Sequence, residues 1–166
     1  MRQALFNSLQ MTIPGARVLD LFAGSGALGF EALSRGAESV VFVENGRAAS
    51  KLIERNAAEL EVTDRIKLLD CSVEQAARDL AHFGPFDVVL ADPPYAEGWE
   101  LKLLNNFDWS ILLNPDGVLV LEWGTQKSQV SELPESAPHL VKAREKNYGD
   151  SVLTTYRRAE IPGDPS

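Results

Sequence analysis

Cysteine is all but missing from this sequence: Cys71 stands alone, so no disulfide can form within the chain. That suits a reducing compartment better than an extracellular one. Histidine is nearly as scarce. His82 and His139 lack the Cys or carboxylate neighbours of a metal site, so neither a metal nor a Ser-His-Asp triad is expected. No stretch approaches the roughly 18 apolar residues that cross a bilayer, and the first dozen residues lack the apolar core of a signal peptide. A soluble, cytoplasmic protein is predicted, and nothing in the sequence marks an interface, so a monomer is expected. Basic residues are in deficit, 16 Lys and Arg against 24 Asp and Glu, for a formal net charge of −8. Phosphates are held mainly by Lys and Arg, so bulk charge argues against a nucleic-acid partner.

The distribution of charge changes that argument. Residues 1–17 hold Arg2 and Arg17 and no acid, and residues 139–158 hold Lys142, Arg144, Lys146, Arg157 and Arg158 against Glu145 and Asp150. Positive charge therefore collects at the two ends, where an anionic polymer is best received; chain ends also simply tolerate charge. The chain's 166 residues, 45% of them hydrophobic, suffice for one domain with one core. Residues 1–158 are read as that domain, and residues 159–166, ending IPGDPS, as a flexible tail.

Within the domain, short β-rich apolar runs alternate with segments of helical period, the pattern of a parallel α/β sheet. A short helix is expected over 1–10, with Ala4, Leu5, Phe6 and Leu9 on its apolar face. Strands are expected at 16–22, 38–44, 65–70, 86–91 and 117–123, with helices following the first at a glycine turn and then over about 47–60, 72–83 and 99–113. Ser72-Val73-Glu74-Gln75 has the form of a capping box that would open the third of these helices. Residues 139–158 read as two strands around a Tyr-Gly-Asp turn, an ending foreign to a nicotinamide-dinucleotide fold, where further βα units would follow.

Two stretches carry chemistry. Gly24, Gly26 and Gly29 match the spacing G-x-G-x-x-G where the first strand turns into a helix. Gly24 and Gly26 let the backbone turn sharply and approach a ligand closely. Such a turn fits several nucleotide cofactors. Glu44 ends the second strand 20 residues after Gly24, where a carboxylate can accept from both ribose hydroxyls. Asp20 stands at the mouth of the first strand. A carboxylate there repels a pyrophosphate and tolerates a cationic sulfonium, which favours S-adenosylmethionine over NAD. Asp70 ends the third strand and can accept from an adenine amine, with Cys71 beside it; a helix N-terminal acid favoured by the dipole is the competing reading. Phe22, Asn45 and Asp92 complete the expected cofactor contacts.

The second stretch is Asp92-Pro93-Pro94-Tyr95, directly after the fourth strand and so at the ligand-binding edge of an open sheet. An exocyclic amine on a base is a weak nucleophile because its lone pair is delocalised into the ring. Acceptors on its two N–H bonds would favour a pyramidal, electron-rich nitrogen. Asp92 offers a side-chain oxygen and Pro93 a backbone carbonyl, and the prolines fix both in advance. Tyr95 offers a face on which an extruded base can stack. Arg144, Lys146 and Tyr148 are expected to approach the nucleic acid if the last two strands pair antiparallel, because their turn then lies at the same sheet edge as Asp92. Trp99 is placed on a loop or helix start that can close over the base, whereas Trp109 and Trp123 are assigned to the core.

With these residues in view, the sequence resembles the amino-methyltransferases of DNA and RNA bases, which carry an [ND]-P-P-[YF] motif. It resembles more closely the bacterial RsmD-type 16S ribosomal RNA guanine-N2 methyltransferases. The matching stretches are Arg2-Gln3-Ala4-Leu5-Phe6-Asn7, VLDLFAGSGALGFEALSRGA (18–37), FVE (42–44), ADPPY (91–95) and YGDS (148–151). The resemblance implies a Rossmann-like methyltransferase fold with helices on both faces of a seven-stranded, mostly parallel sheet whose last strand is antiparallel. It also implies cofactor contacts at Asp20, Gly24, Gly26, Glu44 and Asp70, catalysis at Asp92, Pro93 and Tyr95, and ribosomal RNA or the small ribosomal subunit as partner. Members of the family carry a basic segment ahead of the N-terminal helix, and this sequence begins almost at that helix. Three other readings stay open: an adenine-N6 or cytosine-N4 methyltransferase, an NAD-dependent oxidoreductase, and a catalytically silent binding module.

Overall fold

The computed structural model describes residues 2–95, 97–124 and 130–159, so the expected tail lies, apart from residue 159, outside the described residues. The strands are β1 (Arg17–Leu21), β2 (Ser39–Val43), β3 (Ile66–Leu69), β4 (Phe86–Ala91), β5 (Leu113–Gly124), β6 (Ser136–Ala137), β7 (Leu140–Tyr148) and β8 (Ser151–Arg158). They form one sheet in the order β3-β2-β1-β4-β5-β8-β7-β6. β1 to β5 pair in parallel, and β8 runs antiparallel between β5 and β7. The parallel strands read as continuous apolar runs because they are covered on both faces.

One face carries α1 (Arg2–Ser8), α2 (Ala27–Ser34) and α3 (Arg47–Glu59), whose Phe6, Leu33 and Ile53 pack with Val40, Phe42 and Val88 of the sheet. The other carries α4 (Val73–Ala76), α5 (Leu80–Phe83), α6 (Trp99–Asn106) and α7 (Trp109–Leu112), whose Leu80, Leu103 and Trp109 pack with Leu19, Val89 and Leu121. Trp109 and Trp123 are buried as expected, and the indole N–H of Trp109 donates to the Leu103 carbonyl at 2.8 Å. Among the described residues no helix is long and apolar enough to cross a membrane.

Among the described residues the sheet has eight strands, not seven. The extra one is β6, two residues paired with β7 through Ser136↔Val141 and Ala137↔Leu140. Its sequence has no strand pattern; neighbours impose the extended path. Leu133 is buried, the Tyr156 hydroxyl donates to the Pro134 carbonyl at 2.7 Å, and the Lys142 amide donates to the Glu135 carbonyl at 2.8 Å. Two expected helices are also each divided. The segment opened by Ser72, whose capping box is formed, tightens to three-residue hydrogen bonds at Asp79→Ala76 and His82→Asp79. The segment from Trp99 stops at Phe107, and Asp108 caps a new turn by accepting from the Ser110 amide at 3.1 Å.

The chain goes from β1 outward to β2 and β3, then returns to place β4 on the other side of β1. The crevice outside the carboxyl ends of β1 and β4 is thus the topological switch point, where open α/β sheets bind ligands.

Candidate active site

The β1–α2 turn is built on unusual backbone. Gly24 and Gly26 have φ of 59° and 84°, in the left-handed region that a side chain strains. A Cβ on Gly26 would lie 2.8 Å from the Phe30 ring, and one on Gly29 would lie 2.3 Å from the Phe42 ring. The third glycine therefore lets α2 press onto β2. Phe22 also has a positive φ, 56°, at the mouth of β1. For a bulky residue that costs of order 1–3 kcal/mol, a strain typical of functional sites.

Glu44, at the end of β2, holds this turn in place. One carboxylate oxygen accepts from the Gly24 N–H at 2.7 Å and the other from the Gly46 N–H at 2.7 Å. A carboxylate has about four acceptor positions, so two remain for a ligand. The Ser50 hydroxyl lies 3.2 Å from the Glu44 carbonyl and 3.0 Å from a carboxylate oxygen of Asp70. Asp70 is thereby tied to α3.

Beside Glu44 opens a cavity of about 250 Å³. Of the residues expected to hold a cofactor, Phe22, Glu44, Asn45 and Cys71 line it. Burial pushes the Cys71 thiol up from its ordinary value, so it is a neutral wall and not a nucleophile. The cavity is also lined by Pro94, from the tetrapeptide expected at the ligand-binding edge, and by Glu97 and Trp99, which the sequence did not assign to the cofactor. Trp99 opens α6, where a helix start was expected, is 6% exposed and meets the Phe22 ring edge-on at 5.1 Å, so it forms part of the pocket wall.

Asp20 is not one of those walls. It lies behind the turn, 1% exposed, and accepts from the Gly29 N–H at 3.0 Å. Burial pushes its carboxyl up to about 8. In this state it is mostly neutral at pH 7, so it lends no charge to the choice between a sulfonium and a pyrophosphate.

Asp92-Pro93-Pro94-Tyr95 follows β4 at the crevice. Pro93 is buried, Asp92 is exposed and Tyr95 is half exposed. Since Pro94 is a wall of the Glu44 cavity, the tetrapeptide and the cavity are contiguous. Asp92 has a neighbour that the sequence pattern alone does not single out. Glu122 on β5 follows the Ala91↔Leu121 pair, and its side chain hydrogen-bonds to Asp92. Among the described residues no group of three His, Cys, Asp or Glu is placed to hold a metal.

Residues 1–157 match the family described as Conserved hypothetical protein 95. Ribosomal RNA small subunit methyltransferase D of Escherichia coli K12 is 32% identical over 158 residues, covering 95% of this chain and 76% of that protein. The chain belongs to this RsmD-type family. A Streptococcus pyogenes structure described as a conserved hypothetical protein superposes with a TM-score of 0.82 at 36% identity, over 96% of each chain. A more distant structure, provisionally named a methyltransferase and complexed with SAH, shares the fold alone: TM-score 0.70 at 14% identity, over 94% of this chain and 49% of that one.

In this RsmD-type chain the terminal hairpin brings Arg144, Lys146 and Tyr148 together on one face, away from the Glu44 cavity. They line a small cleft with Ala4, Leu5 and Ser8 of α1. The Lys146 ammonium lies 5.6 Å from the centroid of the Tyr148 ring. Leu153 pairs with both Glu122 and Lys146, so these three form one row across β5, β8 and β7, and Asp92, just past the end of β4, continues it beside Glu122. The basic residues thus share a sheet face with Asp92.

Proposed function

We propose that this protein transfers a methyl group from S-adenosylmethionine to the exocyclic N2 amine of a guanine in 16S ribosomal RNA. The observation that carries the reading is the contiguity of the Asp92 tetrapeptide with the Glu44 cavity, through Pro94. It sets acceptors for an amine beside a pocket suited to a ribose-bearing cofactor.

The fit of the cofactor rests on the chain's own groups. Glu44 keeps two acceptor positions for ribose hydroxyls after binding Gly24 and Gly46. Cys71, Ser72 and Val73 give a mixed wall suited to the edge and face of an adenine. When bound, S-adenosylmethionine supplies an activated methyl group on a sulfonium. The chain supplies position. Asp92 accepts one N–H of the base amine and the Pro93 carbonyl the other, which draws the nitrogen lone pair out of the ring. A hydrogen bond to a charged group is worth roughly 1.5–3 kcal/mol, so this alignment is a moderate contribution beside the reactivity of the donor. Tyr95 stacks on the extruded base, for about 1–3 kcal/mol. Arg144 and Lys146 take phosphates on the same face.

The name of the Escherichia coli relative supports small-subunit ribosomal RNA as substrate, and the family resemblance of ADPPY (91–95) supports guanine N2. Adenine N6 and cytosine N4 would meet the same acceptor pair, so the product must be identified directly. The test is methyl transfer from labelled cofactor to ribosomal RNA and to small subunits from cells lacking the activity, with analysis of the product nucleoside. N2-methylguanosine is expected; N6-methyladenosine or N4-methylcytidine would overturn the base assignment. Asp92→Ala should lower transfer by about 100-fold or more while S-adenosylhomocysteine still binds. Full activity in that variant would overturn the site.

A further inference from the structure

An acid that hydrogen-bonds to another acid must share a proton with it, and Glu122 does so with the one carboxylate that the proposed chemistry needs. Glu122 interrupts the apolar run of β5 directly after Leu121, the partner of Ala91. The parallel register sets it beside Asp92, and their side chains are hydrogen-bonded. Two carboxylates cannot make that bond; one must be protonated. Glu122 is half-buried between β4 and β8, opposite the apolar Leu153, whereas Asp92 reaches solvent. That asymmetry puts the proton on Glu122 and leaves Asp92 as the acceptor.

We propose that Glu122 is a positioning residue that shares one proton with Asp92 and holds the Asp92 carboxylate toward the substrate amine. The inference rests on the proposed methyl transfer. In that step a bond forms between the amine nitrogen and the methyl carbon, the carbon–sulfur bond breaks, and the sulfur keeps the electron pair. The nitrogen gains a positive charge and releases one proton. Asp92 takes this proton, so the pair passes from one proton to two, and the second leaves to water. Glu122 lets Asp92 accept without isolating a bare charge in a half-buried place.

The surroundings agree with this assignment. Burial raises both carboxyls above their ordinary values; the shared hydrogen bond then lowers Asp92 and raises Glu122 further. Asp92 helps to raise Asp20 on β1, and Lys146 stands in the same row two strands away from Glu122 with its ammonium at the Tyr148 ring.

Two substitutions separate this role from simple packing. Glu122→Gln keeps a donor toward Asp92 and removes the titrating proton; Glu122→Leu removes the donor. In the profile of kcat/KM against pH, the acid limb should stay in place in E122Q and move up by about one unit in E122L. A packing role would move both in the same direction or neither. Carboxyl-labelled NMR of the ligand-free protein gives a readout independent of activity. Asp92 and Glu122 should titrate as one coupled pair in the unaltered protein, and Asp92 should titrate in a single step in E122Q. Independent titration of the two carboxyls, or a coupled pair in which E122L leaves the acid limb in place, would overturn the proposal. Failure of the unaltered protein to methylate any RNA would instead sink the proposed function, while the titration would still decide whether the proton is shared.

Discussion

Replacing Asp20 with Asn exchanges a buried acid for a group of the same shape that has no proton to lose. Asp20 is 1% exposed, and burial pushes its carboxyl from 3.8 up to about 8, against the opposing pull of the Gly29 N–H. In the unfolded chain the same carboxyl ionises near its ordinary value of about 3.9. Over the interval between those values the unfolded state has released a proton that the folded state keeps. Stability rises with pH only where the unfolded state binds more protons, and here it binds fewer. The contribution of Asp20 is therefore whole below about pH 4, declines as pH rises, and is spent above about pH 8. The limiting slope is about 1.4 kcal/mol per pH unit. From about pH 5 to about pH 7 the unaltered protein should lose up to about 3 kcal/mol from this group, a large part of the 5–15 kcal/mol that holds a typical domain. The side-chain amide of the D20N variant would still offer an oxygen to the Gly29 N–H. Urea unfolding across that range is the assay, because the midpoint tracks stability when the slope is unchanged. The gap between D20N and the unaltered protein should widen steadily with pH. A gap that stays constant would refute the claim that Asp20 is folded in its neutral form.

Three other perturbations test the site and its frame. Glu44→Gln sets an amide N–H against the backbone N–H of Gly24 or Gly46; affinity for S-adenosylhomocysteine should fall at least about tenfold by calorimetry, and an unchanged affinity would remove Glu44 from the cofactor site. Replacing both Arg144 and Lys146 with Ala should weaken RNA binding and lower the slope of log affinity against log salt by about two; an unaltered slope would show that the hairpin face does not meet phosphates. Trp109→Ala empties a fully buried site and removes the donor to the Leu103 carbonyl, which should cost about 3–5 kcal/mol in urea unfolding; a loss below about 1 kcal/mol would mean that the face under α6 and α7 repacks.

What the sequence makes legible follows from how local each signal is. The parallel strands stand out because residues covered on both faces must be apolar without interruption, as in FDVVLA and SVVFV. Glu44 is legible because a strand end and a glycine turn fix its distance from Gly24 along the chain, and the same logic places the Asp92 tetrapeptide at the crevice. The rest depends on partners distant in sequence. β6 owes its path to Tyr156, Lys142 and a buried Leu133, none of which SELPESAP announces. Asp20 occupies the place the pattern gives it, but its neutral state arises from burial under α2, which no spacing reports. Trp99 becomes a pocket wall only because Phe22, across the crevice, holds a left-handed backbone and offers its ring. Glu122 did leave a trace: a charged residue inside GVLVLEW, one step from the strand end, just as Asp92 follows FDVVLA. Only the register of β4 on β5 makes the two neighbours.

That register also works as a gauge. Asp92 directly follows β4, and Glu122, Leu153 and Lys146 occupy the next three strands; each interval is the span of a backbone ladder, about 4.8 Å, which sets the Lys146 backbone roughly 14 Å from that of the acid. Insertions in the flanking loops can reshape the approach to either end, but they cannot stretch the distance between them. If the proposed function holds, a strand of RNA gripped at Lys146 would present to Asp92 a nucleotide at a set offset from the gripped phosphate, so the choice of base would be partly metered by geometry before any base edge is read.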